Sequence, residues 1–447
     1  MTLGPDRPVC ATQTGWSGPR RLSSVATSTP ALWAAFAAVH LWTAWCGVRV
    51  MPERVFWDLG LYRQWVDAGL ADDHWPVLDE PWVYPAGALA PLVVVGWLAR
   101  ALPLPRLTAD EAFAAWWTVM VTTLNLVVVL RLLHLSRRPG RLGLGGGRVA
   151  AWWWVGFLAA LGPVAVGRID ALVTPLVVVA LLVVTARPRL AAALLTVGAW
   201  VKVAPGVLLL PVVLALRRSW PAAVGPAAAV STVVLGTVAL LGGREHVWSF
   251  LGVQGGRGMQ VEAVGASPWL LWGLFSTAVQ RPFNSEISTY EVTGPGVQTA
   301  CDVLDGLFYA TLLAAAALLA WRAWGPRRLP TAELVTRGSL LLLLTMVVTN
   351  KVLSPQYLTW LVAPVVVALA WQLPRWRGTA GTLLGVAAAT QVVFPWAYTS
   401  MITAQPAATE MLVVRNVGLV VLWVVTARAV VRPAVTAADP VAAEAPG

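Results

Sequence analysis

Charge is what this chain has least of. Asp, Glu, Lys and Arg make up 12% of its 447 residues, where a soluble domain carries about twice that fraction. A conventional soluble fold is excluded on that ground. Lysine is nearly absent: Lys202 and Lys351 are the only two, and the other fixed cations are all Arg. The three cysteines (Cys10, Cys46, Cys301) are scattered without metal or redox spacing, so no disulfide is expected. The four histidines show no ligand spacing either, and no metal site or other cofactor is expected. The glycines at 143–147 are not followed by Lys-Ser/Thr, which argues against a phosphate loop. Residues 1–29 lack an apolar h-region, so the first span reads as an uncleaved anchor rather than a signal peptide.

What the chain has in abundance is apolar length. It is 58% hydrophobic with a mean hydropathy of +0.70. Apolar runs of about 17–25 residues recur throughout, the length that crosses about 30 Å of hydrocarbon. Short alternating strands are missing, so the expected class is an all-α polytopic membrane protein rather than a β-barrel. The net charge of +11 sits in Arg-rich loops between spans, where it sets topology; it is no nucleic-acid footprint.

The arginine distribution orders the spans. With the N-terminus inside, a first crossing is expected near 31–51 and the next clear one near 111–135. The latter runs into Arg131, Arg137, Arg138, Arg141 and Arg148, a cytoplasmic loop by charge. Segment 52–110 then begins and ends outside, and its apolar stretch 86–103 is expected as a re-entrant or surface-lying helix. A full crossing there is the alternative, and it would place the basic loop outside. Further spans are expected near 149–166, 170–186, 189–204, 205–217, 221–242, 297–323, 333–350, 353–373, 378–398 and 409–431. That makes about 12 transmembrane helices spread over 30–432, with two larger outer loops, 52–110 and 243–296. The tails 1–29 and 433–447 are expected to be disordered and cytoplasmic.

The acidic residues fall mostly in or beside those two outer loops. Asp58 follows the first span, within a predicted amphipathic helix over 56–70. Trp57, Leu61 and Trp65 form its apolar stripe, with Asp58 and Tyr62 beside it at i, i+4. A carboxylate held at the bilayer surface is a candidate base; a simple pair with Arg54 or Arg63 is the plain alternative. Lys202 and Lys351 both fall at outer span ends and just before a proline (Pro205, Pro355). That placement suits an anionic phosphate, or merely snorkelling to the interface. Arg168 and Asp170 occupy the tip of a helical hairpin. Arg257, Gln260 and Glu262 form a polar cluster suited to vicinal diols, or an ordinary solvated loop. Trp57, Trp75, Trp82 and Trp269 are candidates for stacking on a sugar; most other tryptophans read as interfacial belts.

Taken together, these residues resemble the polyprenol-phosphate-mannose-dependent mannosyltransferases of glycosyltransferase family 87, which have the GT-C membrane fold. Asp58-Leu-Gly-Leu-Tyr62 is similar to the family's early Asp and Tyr, and Tyr84-Pro85-Ala86-Gly87 to its Tyr-Pro-Pro-Leu segment, with the second Pro replaced. Gly167-Arg168-Ile169-Asp170 is similar to a Gly-Gln-Val/Ile-Asp hairpin, with Arg for Gln. Lys202–Pro205, Arg257–Glu262 and Ser354–Leu358, which contains Gln356 and Tyr357, match the Lys-x-x-Pro, Arg-Gly-x-Gln-x-Glu and Ser-Pro-Gln-Tyr-Leu elements. The resemblance implies an inverting hexosyltransferase of the plasma membrane, with its active site on the extracytoplasmic face. It implies a polyprenyl-phosphate-sugar donor and a glycolipid or glycan acceptor, with membrane lipids as the surroundings and no nucleic acid. Asp58 is then the expected base. Lys202, Lys351 and Arg168 would take the donor phosphate; Tyr62, Tyr84, Asp170, Arg257, Gln260, Glu262, Gln356 and Tyr357 would contact substrate. A transporter or flippase is the main alternative, and a noncatalytic scaffold the second.

Overall fold

The computed structural model describes residues 28–136, 145–255 and 257–432. The two tails, apart from residues 28 and 29, and Arg137, Arg138 and Arg141 of the basic loop lie outside it. Its long helices are α1 (Thr29–Trp45), α2 (Trp57–Asp72), α3 (Leu89–Ala101), α4 (Ala109–Leu135), α5 (Gly146–Leu161), α6 (Asp170–Val183) and α7 (Pro188–Val201). They continue with α8 (Leu209–Leu216), α9 (Pro221–Leu240), α10 (Val297–Trp324), α11 (Thr331–Val348), α12 (Val362–Ala370), α13 (Arg377–Gln391) and α14 (Pro406–Val431). Among the described residues the sheet content is one small hairpin, β1 (Phe283–Asn284) against β2 (Thr289–Tyr290).

Eight helical segments are long and apolar enough to cross a membrane, and four shorter apolar ones accompany them, including Ala86–Ala101. This is an all-α polytopic membrane protein. In water-free hydrocarbon a helix satisfies its own backbone, which is why the apolar runs became helices. Helix α4, at 27 residues, spans about 40 Å at 1.5 Å per residue. It starts where Thr108 and Glu111 cap each other: Glu111 N–H donates to Thr108 Oγ1 at 3.3 Å, and Thr108 N–H to Glu111 Oε2 at 2.9 Å.

The central layer is α4, α5, α6, α7 and α12, with α9 laid along α7 and α13 and α14 along α5 and α11. Glycine decides one close approach in this layer. A Cβ on Gly147 would lie 2.1 Å from the Leu132 carbonyl, so only Gly lets α5 meet α4 there. By contrast α9 and α10 turn most of their surface away from the rest of the protein, as lipid-facing helices do.

Two connections shape one end of the bundle. After α5 the chain makes a tight 3₁₀ turn over Gly162–Ala165 and re-enters α6 at Asp170. After α7 it goes extended at Lys202, then turns through a 3₁₀ segment, Ala204–Leu208, containing Pro205. Proline has no N–H to continue the helix, so α7 ends at that point and leaves Lys202 at its tip.

Candidate active site

Helix α2 carries the first candidate residues. Trp57 and Leu61 are exposed, as expected of a helix with a lipid-facing stripe. Trp65 is different: it stacks on Tyr62 and meets Trp82 and Tyr84 edge-on, so it belongs to the protein's interior aromatic cluster. Trp82 is buried in the same cluster, which removes it from the sugar-stacking candidates. Tyr62 is fully buried against Trp117, and Ile169 N–H donates to its hydroxyl at 3.3 Å. Trp117 Nε1–H donates to Val166 O at 2.7 Å. These bonds fasten α2 and α4 to the 162–169 turn.

That fastening chooses the partner of Asp58. Asp58 pairs with neither Arg54 nor Arg63. Arg54 donates to Pro395 O and Thr399 Oγ1, and Arg63 is held by Asp67 and Asp110. Asp58 Oδ1 lies 2.9 Å from Arg168 Nη1, with the two side chains 23% and 10% exposed. Arg168 Nη2 also donates to Arg54 O at 3.2 Å. Gly167 makes this approach feasible, because a Cβ there would sit 2.5 Å from the Phe56 ring and 2.6 Å from Val55 O.

Asp170, the first residue of α6, is 1% exposed. Its Oδ1 accepts from Trp360 Nε1–H at 2.6 Å, and its Oδ2 is 4.0 Å from Lys202 Nζ. The Lys202 ammonium also lies 4.9 Å from the Tyr84 ring centre and 5.5 Å from that of Tyr357, a cation–π arrangement. Tyr357 in turn stacks on Trp360 with 4.1 Å between centres. Gly87 presses against the Trp200 carbonyl, where a Cβ would come within 2.8 Å, and so brings Tyr84 to the tip of α7. The Tyr62 and Tyr84 hydroxyls are 3.2 Å apart. Burial pushes Tyr62 well above its ordinary pKa and Tyr84 up to about 12, so both are neutral phenols.

The 257–262 loop is clamped from several sides. Gln260 N–H donates to Lys351 O, Val261 N–H to Tyr290 O and Val292 N–H to Met259 O. The Gln260 amide donates to Thr289 Oγ1 at 2.9 Å. Glu262 is 2% exposed, with Oε2 3.6 Å from Arg415 Nη2, and Tyr398 hydrogen-bonds its carboxyl. Burial pushes Glu262 up to about 7, against the opposing pull of Arg415, Tyr398 and Arg168. Arg257 is half-buried, and its Nε has no hydrogen-bond partner among the described residues. Gln356 is half-buried on the same 3₁₀ segment as Tyr357.

Asp58, Arg168, Asp170, Lys202, Tyr62, Tyr84 and Tyr357 therefore form one contiguous constellation, with Gln260 and Glu262 in the adjoining loop. The two lysines go to different carboxylates: Lys202 stands by Asp170, while Lys351 Nζ is 2.7 Å from Asp305 Oδ2 on α10. Sequence reading missed Trp360, Asp305, Tyr398 and Arg415. Arg415 had a usable signal, being a cation inside the apolar run of α14. Among the described residues no group of three or more His, Cys, Asp or Glu is placed to hold a metal.

A multi-pass helical protein with a polar, carboxylate- and cation-bearing site at one end of its bundle has the form of a membrane enzyme. The family model for Glycosyltransferase family 87 matches residues 82–335, more than half of the chain. The chain belongs to glycosyltransferase family 87 and is a membrane glycosyltransferase. The matched region contains Tyr84, Arg168, Asp170, Lys202 and the Arg257–Glu262 loop; Asp58, Lys351, Gln356 and Tyr357 lie outside it. A search of curated proteins found no match.

Proposed function

We propose that the enzyme transfers a hexose, mannose by the bias of the resemblance, from a polyprenyl-phosphate donor to a glycolipid or glycan hydroxyl. The transfer takes place on the extracytoplasmic face of the plasma membrane. The observation that carries the proposal is the Asp58–Arg168 pair lying beside Lys202: a carboxylate able to take a proton next to cations able to take a phosphate.

The acceptor oxygen attacks the anomeric carbon from the face opposite the phosphate. The new C–O bond forms as the carbon–phosphate oxygen bond breaks, and that electron pair leaves with the phosphate. The acceptor proton passes to Asp58. A β-linked donor gives an α-linked product. Fixed cations at the leaving phosphate stabilise charge that develops only in the transition state. Lys202 and Arg168 fill that role. Arg168 can turn from Asp58 to the arriving phosphate, which frees the carboxylate to meet the acceptor hydroxyl. Lys351 reaches the phosphate only by giving up Asp305, so its share is smaller. Tyr84, Tyr357, Arg257, Gln260 and Gln356 are assigned to the sugar and its neighbours. Buried Tyr62, Asp170 and Glu262 orient those groups from beneath.

The test is transfer from labelled polyprenyl-phosphate-mannose in membranes of a host lacking the enzyme. Wild type is compared with Asp58→Asn at equal expression. A loss of about three orders of magnitude or more is expected, the scale of removing an essential base. Equal activity in the two would remove Asp58 from the mechanism. No transfer by wild type would sink the donor assignment.

A further inference from the structure

At α8, α9 and α10 the molecule carries a second polar feature, unrelated to the Asp58 constellation. Leu216, Arg217, Arg218, Trp220, Trp324 and Arg328 line a groove of about 700 Å³. Its lining contains three cations and no carboxylate. All three arginines are exposed, and none of them makes an ion pair with a described residue. The nearest acid in sequence, Glu333, is held by Arg337. Trp220 and Trp324 are both exposed.

Arg217 has φ +49, a left-handed conformation that a non-glycine residue adopts only when its surroundings impose it. It reverses the chain sharply between α8 and α9. Helices α9 and α10 each pack against α8, and neither packs closely on the other. Both present mostly lipid-facing surface. The groove therefore lies at the ends of spans and opens onto bilayer-exposed helices. Exposed tryptophans at that depth mark the headgroup region, and basic pockets between spans are suited to anionic headgroups.

We propose that this groove binds the headgroup of an anionic phospholipid. The phosphate is held by Arg217, Arg218 and Arg328, and the glycerol region is flanked by Trp220 and Trp324. The acyl chains lie along α9 and α10. Guanidinium forks match phosphate oxygens in geometry as well as charge.

The experiment is native mass spectrometry of the full chain in neutral detergent, titrated with phosphatidylglycerol or with phosphatidylcholine of the same acyl chains. Wild type is expected to prefer phosphatidylglycerol by roughly a hundredfold, with about fivefold coming from each of the three arginines. The triple variant R217Q/R218Q/R328Q is expected to bind the two lipids equally, with an unfolding midpoint like that of wild type because the three side chains are exposed. If the triple variant fails to fold, each single Gln variant still must lower the preference several-fold. Equal binding of both lipids by wild type overturns the proposal. So does an undiminished preference in the variants. Displacement of phosphatidylglycerol by inorganic phosphate at the same concentration would mark a free-anion site and overturn it as well.

Discussion

Replacing Glu262 by Gln is expected to remove a pH dependence of stability between about pH 4.5 and 7. Burial pushes the Glu262 carboxyl to about 7 from an ordinary 4.5. Between those values the folded protein keeps a proton that the unfolded chain has released. The associated stability is fully present below about pH 4.5 and is lost as pH rises through about 7. At 1.36 kcal/mol per pH unit the change is about 3 kcal/mol. Glu262 is nearly inaccessible, so solvent and salt screening remove little of this. Cys46 and Cys301 are free and buried, so a thiol-reactive fluorophore reports unfolding of the purified protein in a Cys10→Ser background. The Gln variant carries some constant offset from wild type. Against it, its unfolding midpoint should gain several degrees from pH 4.5 to 7 and then run parallel. Arg415→Met sharpens the test by taking away the cation 3.6 Å from Glu262 Oε2. Breaking a buried pair costs about 3–5 kcal/mol. That cost should be paid near pH 8 and shrink near pH 5, where a protonated Glu262 needs no counter-ion. A Glu262→Gln difference that does not vary with pH would refute the burial argument.

Two other perturbations probe the framework of the site. Gly167→Ala places a methyl group 2.6 Å from the Val55 carbonyl, and a backbone atom has no rotamer by which to escape. The hairpin tip must shift away from Asp58, so sugar transfer should fall at least tenfold at a stability cost of about 1–3 kcal/mol. Unchanged activity would show that the Asp58–Arg168 approach does not matter. Trp360→Phe keeps the stack on Tyr357 but loses the N–H donated to Asp170 at 2.6 Å. A hydrogen bond to a charged, buried group contributes about 1.5–3 kcal/mol. A lower unfolding midpoint and weaker transfer are expected, and an unmoved midpoint would argue against that bond.

Much of the fold was legible because a bilayer simplifies the code. Helix α4 was expected near 111–135 and runs Ala109–Leu135; α10 was expected near 297–323 and runs Val297–Trp324. Apolar length alone fixes such limits, with caps and prolines adjusting the ends. The helix over 56–70 was also read correctly in extent, since α2 runs Trp57–Asp72. Its stripe was read less well, because Trp65 turned inward to Tyr62. Helical period says which residues share a face; it does not say how wide the neighbouring surface is.

The candidate site divides in the same way. Residue type and spacing singled out Asp58, Arg168, Asp170 and Lys202, since charges are expensive in a chain this apolar. Their pairings were beyond local reasoning. Asp58 had two arginines close by in sequence and took Arg168, because both neighbours were claimed elsewhere and Gly167 let the hairpin in. The two lysines looked equivalent, yet one faces Asp170 and the other Asp305. By itself the sequence determined the helices, their lengths and the few charges that needed a purpose, because hydrocarbon forces each span to satisfy its own backbone. Only the tertiary structure decided which charge meets which. A carboxylate accepts any nearby cation, and nearness across spans is set by packing, not by position along the chain.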